Sequence, residues 1–96
     1  MSAEIALDGR WRLHPQVALR SERFGALAYH YGTRRLSFLK SRRLLAVVRG
    51  LEDAPDPIAA CRAAGVEEAE LSSYRRALRT LAETGMIVPA EQGAPA

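Results

Sequence analysis

At 96 residues, with 48% hydrophobic and 26% charged side chains, the chain is long enough for one domain with a modest core and too short for two. This composition excludes a disordered polyelectrolyte, and a formal charge of +3 with a pI near 9.6 suits an acidic partner but falls short of the dense positive charge of many nucleic-acid binders. A lone Cys61 excludes an internal disulfide or a thiolate metal cluster; with no apolar run of about 18 residues and no signal-like start, the expected compartment is the cytoplasm.

Residues 1–10 are expected to form a flexible arm, residues 11–89 the folded domain and residues 90–96 a disordered tail. Trp11 and Leu13 either begin a short strand or pin the arm on the core. After Pro15, Val17 and Leu19 alternate with Ala18 and Arg20, which predicts a strand ending in a polar turn over residues 21–23.

Residues 25–39, GALAYHYGTRRLSFL, read as a β-hairpin. Leu27, Tyr29 and Tyr31 alternate with Ala26, Ala28 and His30, and the alternation resumes with Leu36 and Phe38. A two-residue loop at Gly32 and Thr33, with Gly32 at positive φ, sets Leu27 opposite Phe38 and Tyr29 opposite Leu36. A four-residue loop over residues 32–35 keeps the same face, whereas a three-residue loop opposes apolar to polar. His30 is expected on the polar face of this hairpin. Residues 36–39 then form the last strand of an antiparallel meander, with free backbone groups along one edge.

Beyond Lys40 the period changes. Leu44, Val47, Val48 and Leu51 recur at helical spacing, with Ser41 placed to cap the segment. Asp56 followed by Pro57 predicts a second helix over residues 57–64, closed by Gly65, with Ile58, Ala60 and Cys61 inward. Leu71, Tyr74, Leu78 and Leu81 mark the core face of a third helix that ends at Gly85 and whose start the sequence leaves open between Glu67 and Ser73. Residues 86–88 form a terminal strand or an extended segment.

The order of three strands then three helices places the chain in the α+β class. Nothing in it assembles catalytic chemistry. His14 and His30 lack a third ligand at a metal spacing, Cys61 reads as a small buried hydrophobe, and Glu67, Glu68 and Glu70 suit a helix start. No catalytic residue, metal site or cofactor site is therefore expected, and the chain is read as a binding protein and not an enzyme.

Two binding modes fit. In the first, an extended peptide pairs with the edge strand through Leu36, Ser37, Phe38 and Leu39. Its side chains meet Tyr74 and Leu78, while Arg34, Arg35, Arg75 and Arg79 supply charge for an acidic, partly apolar ligand. In the second, residues 57–64, Gly65 and the last helix form a helix-turn-helix on DNA. The acidic run at Glu67, Glu68 and Glu70 opposes that mode, because it would face phosphates.

The stretch HPQVALRSERFGALAYHYGTRRLSFLKSRR at residues 14–43, with AACRAAGV at 59–66 and GMIVP at 85–89, resembles the mycofactocin biosynthesis peptide chaperones (MftB type). These belong among the PqqD-like RiPP recognition elements, which grasp the leaders of ribosomally made precursor peptides. The resemblance implies a PqqD-like, winged-helix-related fold with a three-stranded antiparallel sheet followed by three helices. It also implies a non-catalytic chaperone that binds the leader as a strand beside residues 35–39 and delivers it to a radical SAM maturase, with neither nucleic acid nor membrane as partner. An open edge can equally pair with its own copy, giving a homodimer that peptide must displace.

Overall fold

The computed structural model describes residues 7–90; the outer parts of the expected arm and tail, residues 1–6 and 91–96, lie outside the described residues. Strands β1 (Trp11–Leu13), β2 (Val17–Glu22), β3 (Gly25–His30) and β4 (Arg35–Leu39) precede helices α1 (Arg42–Arg49), α2 (Pro57–Ala63) and α3 (Leu71–Glu83), and β5 (Ile87–Pro89) closes the order. The fold is α+β, with a three-stranded antiparallel sheet in the order β2-β3-β4 and a separate two-stranded sheet, β1-β5.

That second sheet fastens the two ends together. Trp11 lies opposite Pro89 and Leu13 opposite Ile87, and the Ala90 N–H donates to the Arg10 carbonyl at 2.8 Å. Trp11 is buried and its indole N–H donates to the Asp8 carbonyl, so both sequence expectations for it hold: it begins a strand and it anchors the arm.

Helix ends follow the local chemistry of their residues. Ser41 Oγ accepts from the Leu44 N–H at 3.0 Å and Asp56 Oδ1 from the Ala59 N–H at 2.8 Å, each cap being worth about 1 kcal/mol. Helices α2 and α3 both end in the same double bond pattern around a glycine of positive φ. Gly65 and Val66 donate to Arg62 and Cys61, and Gly85 and Met86 donate to Ala82 and Leu81. A short 3-10 turn at Glu68–Glu70 leads into α3 and settles its start at Leu71.

The hairpin pairs in the register of the two-residue loop, with Leu27 opposite Phe38 and Tyr29 opposite Leu36. Its turn differs from that loop. Strand pairing stops at His30 and Arg35, the Arg34 N–H donates back to the His30 carbonyl at 2.7 Å, and the positive φ falls on Arg34 (63°) and not on Gly32. The left-handed residue is therefore the last of the turn, which closes an i to i+4 ring.

The larger correction concerns which face is inside. Ala26, Ala28 and His30 are buried beneath the helices, while Tyr31, Leu36 and Phe38 are exposed. The small Ala side chains let α1 approach β3 closely, and Leu39, Val47, Leu51, Leu78, Met86 and Ile87 fill the space with no more than 1% exposure each. His30 is consequently a core residue, not a polar-face one. Its burial is satisfied because Nδ1 accepts from the N–H groups of Gly32 (3.0 Å) and Thr33 (3.2 Å).

Candidate functional site

The direction of each backbone group on β4 follows from a bond at the far side of β3. The Tyr31 N–H donates to the Gln16 carbonyl at 2.8 Å, in line with the β2-β3 register. Because antiparallel bonding alternates, the odd-numbered residues of β3 then face β2, and Ala26, Ala28 and His30 face β4. Their partners Leu39 and Ser37 are spent inside the sheet, and at the end of the ladder the Arg35 N–H donates to Thr33 Oγ1 at 3.3 Å. The N–H and C=O groups of Leu36 and Phe38 point outward along the free edge.

Beside that edge lies a groove of about 450 Å³. One wall is β4 through Leu36, Ser37, Phe38 and Leu39, continuing into Lys40, and Leu44 of α1 also contributes. The other wall is α3 through Ser73, Arg76, Ala77, Thr80 and Leu81. The lining contains Lys40 and Arg76 and no carboxylate, so its electrostatics favour an acidic occupant with apolar side chains.

All four strand residues singled out from the sequence meet in this groove, and Arg34 and Arg35 sit exposed at the turn and the start of β4. The helical residues fall elsewhere. Leu78 is fully buried, Tyr74 packs against the core, Arg75 is exposed close enough to influence Cys61, and Arg79 is half-buried outside the lining. Helical phase located the buried stripe of α3 but not its angle to β4, and one residue along a helix turns the face by about 100°. The missed residues carried a signal of their own: Ser73, Ala77 and Thr80 recur at i, i+4 and i+7 as small side chains that leave a channel open.

Cys61 is fully buried, and that burial pushes its thiol pKa up, with Arg75 opposing the shift. Among the described residues no three His, Cys, Asp or Glu side chains converge as metal ligands. No helix among them is long and apolar enough to cross a membrane. At the start of α3, Glu68 pairs with Arg62 at 3.1 Å and Glu70 lies 3.9 Å from Arg43, so the acidic run stands where a DNA reading would need a phosphate-facing end.

A helix-capped antiparallel sheet with an open edge strand and a groove beside it is the PqqD-like architecture. The sequence narrows the class further. Residues 10–88 match the model of the Peptide chaperone MftB family. The chain is 61% identical over 84 residues to a Mycobacterium ulcerans protein named Peptide chaperone MftB, covering 88% of this chain and 77% of that one. Proteins of the same name from Mycobacterium tuberculosis (57% over 88 residues; 92% of this chain, 81% of that one) and Mycolicibacterium smegmatis (52% over 82 residues; 85% and 80%) are also similar. No solved structure matches at a significant level. The chain belongs to the peptide chaperone MftB family.

Proposed function

We propose that this chain is a non-catalytic chaperone of mycofactocin biosynthesis that binds the leader of a ribosomal precursor peptide as a strand added to β4 and delivers it to a radical SAM maturase. Family membership supports the peptide and the pathway. The observation that carries the binding mode is the outward direction of the Leu36 and Phe38 backbone groups at the lip of the groove. Two residues offering both N–H and C=O allow about four strand bonds at ~1 kcal/mol net each, roughly what ordering a disordered peptide costs, at about 2 to 5 kcal/mol. Affinity beyond that balance comes from the apolar groove floor and from Lys40 and Arg76, with Arg34 and Arg35 at the turn end of β4. Any iron–sulfur cluster and SAM belong to the maturase.

Calorimetric titration with the precursor peptide tests this reading. We expect saturable one-to-one binding that weakens when the acidic residues of the leader are neutralised. An absence of heat up to high micromolar peptide, with the protein folded by circular dichroism, sinks it.

A further inference from the structure

The inversion of the hairpin faces leaves an apolar surface that extends beyond the groove. Among the described residues, the exposed large hydrophobic side chains are Phe24 (48%), Tyr31 (61%), Leu36 (54%) and Phe38 (60%). They form one area. Leu36 and Phe38 share the outer face of β4, Tyr31 continues the outer face of β3 with its ring 5.2 Å from that of Tyr29, and Phe24 meets Phe38 edge-on at 6.1 Å. Single exposed hydrophobics are ordinary, but a contiguous aromatic patch marks an interaction surface.

Charge identifies the kind of occupant. Arg23 at the β2-β3 turn and Arg34 at the β3-β4 turn bracket the patch at its two ends, both exposed and without a carboxylate partner among the described residues. A second copy laid face to face would bring arginines against arginines or leave them uncompensated. An apolar surface bordered by carboxylates fits instead.

We propose that the outer face of the three-stranded sheet is the docking surface for a second folded protein, apolar at its centre and acidic at its border. The position of the patch suits the enzyme that receives the peptide. Leu36 and Phe38 belong both to this face and to the groove, and a leader strand beside β4 adds its own alternate side chains to the same outer face. The docked protein then contacts chaperone and peptide together, so each strengthens binding of the other. The inference rests on the delivery reading for the identity of that enzyme.

The test uses the full chain, the purified radical SAM maturase and the precursor peptide, with separate titrations for each ligand. Phe24→Ser combined with Tyr31→Ser alters two residues of the patch that do not line the groove. We expect maturase affinity to fall about tenfold or more while peptide affinity stays within about twofold of wild type. Arg23→Glu is expected to weaken maturase binding in the same direction and to reduce its sensitivity to salt. Retained peptide affinity certifies that the variants fold. Unchanged maturase affinity in both variants overturns the docking surface and leaves the leader groove standing. Failure of the wild type to bind the maturase, with or without peptide, also overturns it, as does a wild-type dimer by light scattering that the double variant abolishes. Failure of peptide binding alone refutes the groove, and the maturase titration then decides the outer face by itself.

Discussion

The rings of His14 and His30 lie 4.3 Å apart and tilted by 44°, although fifteen residues of chain separate them. Each uses Nδ1 as an acceptor: His14 for the Gln16 N–H at 2.9 Å, His30 for the N–H groups of Gly32 and Thr33. An Nδ1 that accepts leaves the proton of the neutral ring on Nε2 at His14. Desolvation, then the neighbouring His30, then Arg12 lower the pKa of His14 below its ordinary value. A lowered pKa means that the unfolded chain binds the proton more readily, so stability is full above about pH 6.5 and declines as pH falls below it. Thermal unfolding between pH 5 and 8 is expected to show this decline, and His14→Gln is expected to flatten part of it. An equal acid slope in wild type and His14→Gln would show that His14 contributes nothing.

Proline separates the two sets of backbone groups on β4. Leu36→Pro deletes an outward N–H and is expected to keep the fold while weakening peptide binding about tenfold, since a prolyl residue is tolerated where the N–H faces outward. Ser37→Pro deletes an N–H directed into the sheet, opposite Ala28, and is expected to lower thermal stability as well. If both variants melt alike and bind alike, the alternation derived for β4 is wrong.

On α3 the neighbouring arginines provide an internal control. Arg76 lines the groove and Arg75 does not. Arg76→Glu is expected to cost peptide affinity by about tenfold at low salt, and Arg75→Glu by little. Equal losses measured by fluorescence anisotropy would mean that general charge, not the groove, attracts the peptide.

Gly25 holds the junction between the sheet and α1. A Cβ there would collide with the backbone carbonyl of Leu39 and with the Ser41 N–H, and its φ of 154° is unsuited to a side chain. Gly65, by contrast, has positive φ (90°) but open space around it. Chemical denaturation is expected to show Gly25→Ala destabilised by well over about 1 kcal/mol and Gly65→Ala by less. The reverse order would contradict the tight packing of Gly25 under the end of β4.

Core truncation should separate the two faces of α3. Leu78→Ala removes a fully buried side chain and is expected to cost about 2 to 5 kcal/mol of stability, whereas Thr80→Ala, on the exposed groove wall, is expected to stay within about 0.5 kcal/mol. A mild Leu78→Ala phenotype would place Leu78 at the groove wall and not in the core.

Local chemistry was legible in the residues themselves. The caps at Ser41 and Asp56, the helix stops at Gly65 and Gly85, the buried positions Leu44, Val47, Val48 and Leu51, and the pairing of Leu27 with Phe38 all depend on neighbours a few positions away or on strict alternation. The same alternation cannot say which side of a strand is inside, because it is symmetric between the faces. Hydrophobicity favours Leu27, Tyr29, Leu36 and Phe38 as the inner set; the tertiary structure instead buries Ala26, Ala28 and His30, since only small side chains and a ring with its hydrogen bonds satisfied fit beneath α1. The angle of α3 against β4, which makes Ser73, Arg76, Ala77 and Thr80 the groove wall, was likewise decided by how Leu71, Leu78 and Leu81 seat among residues distant in the chain.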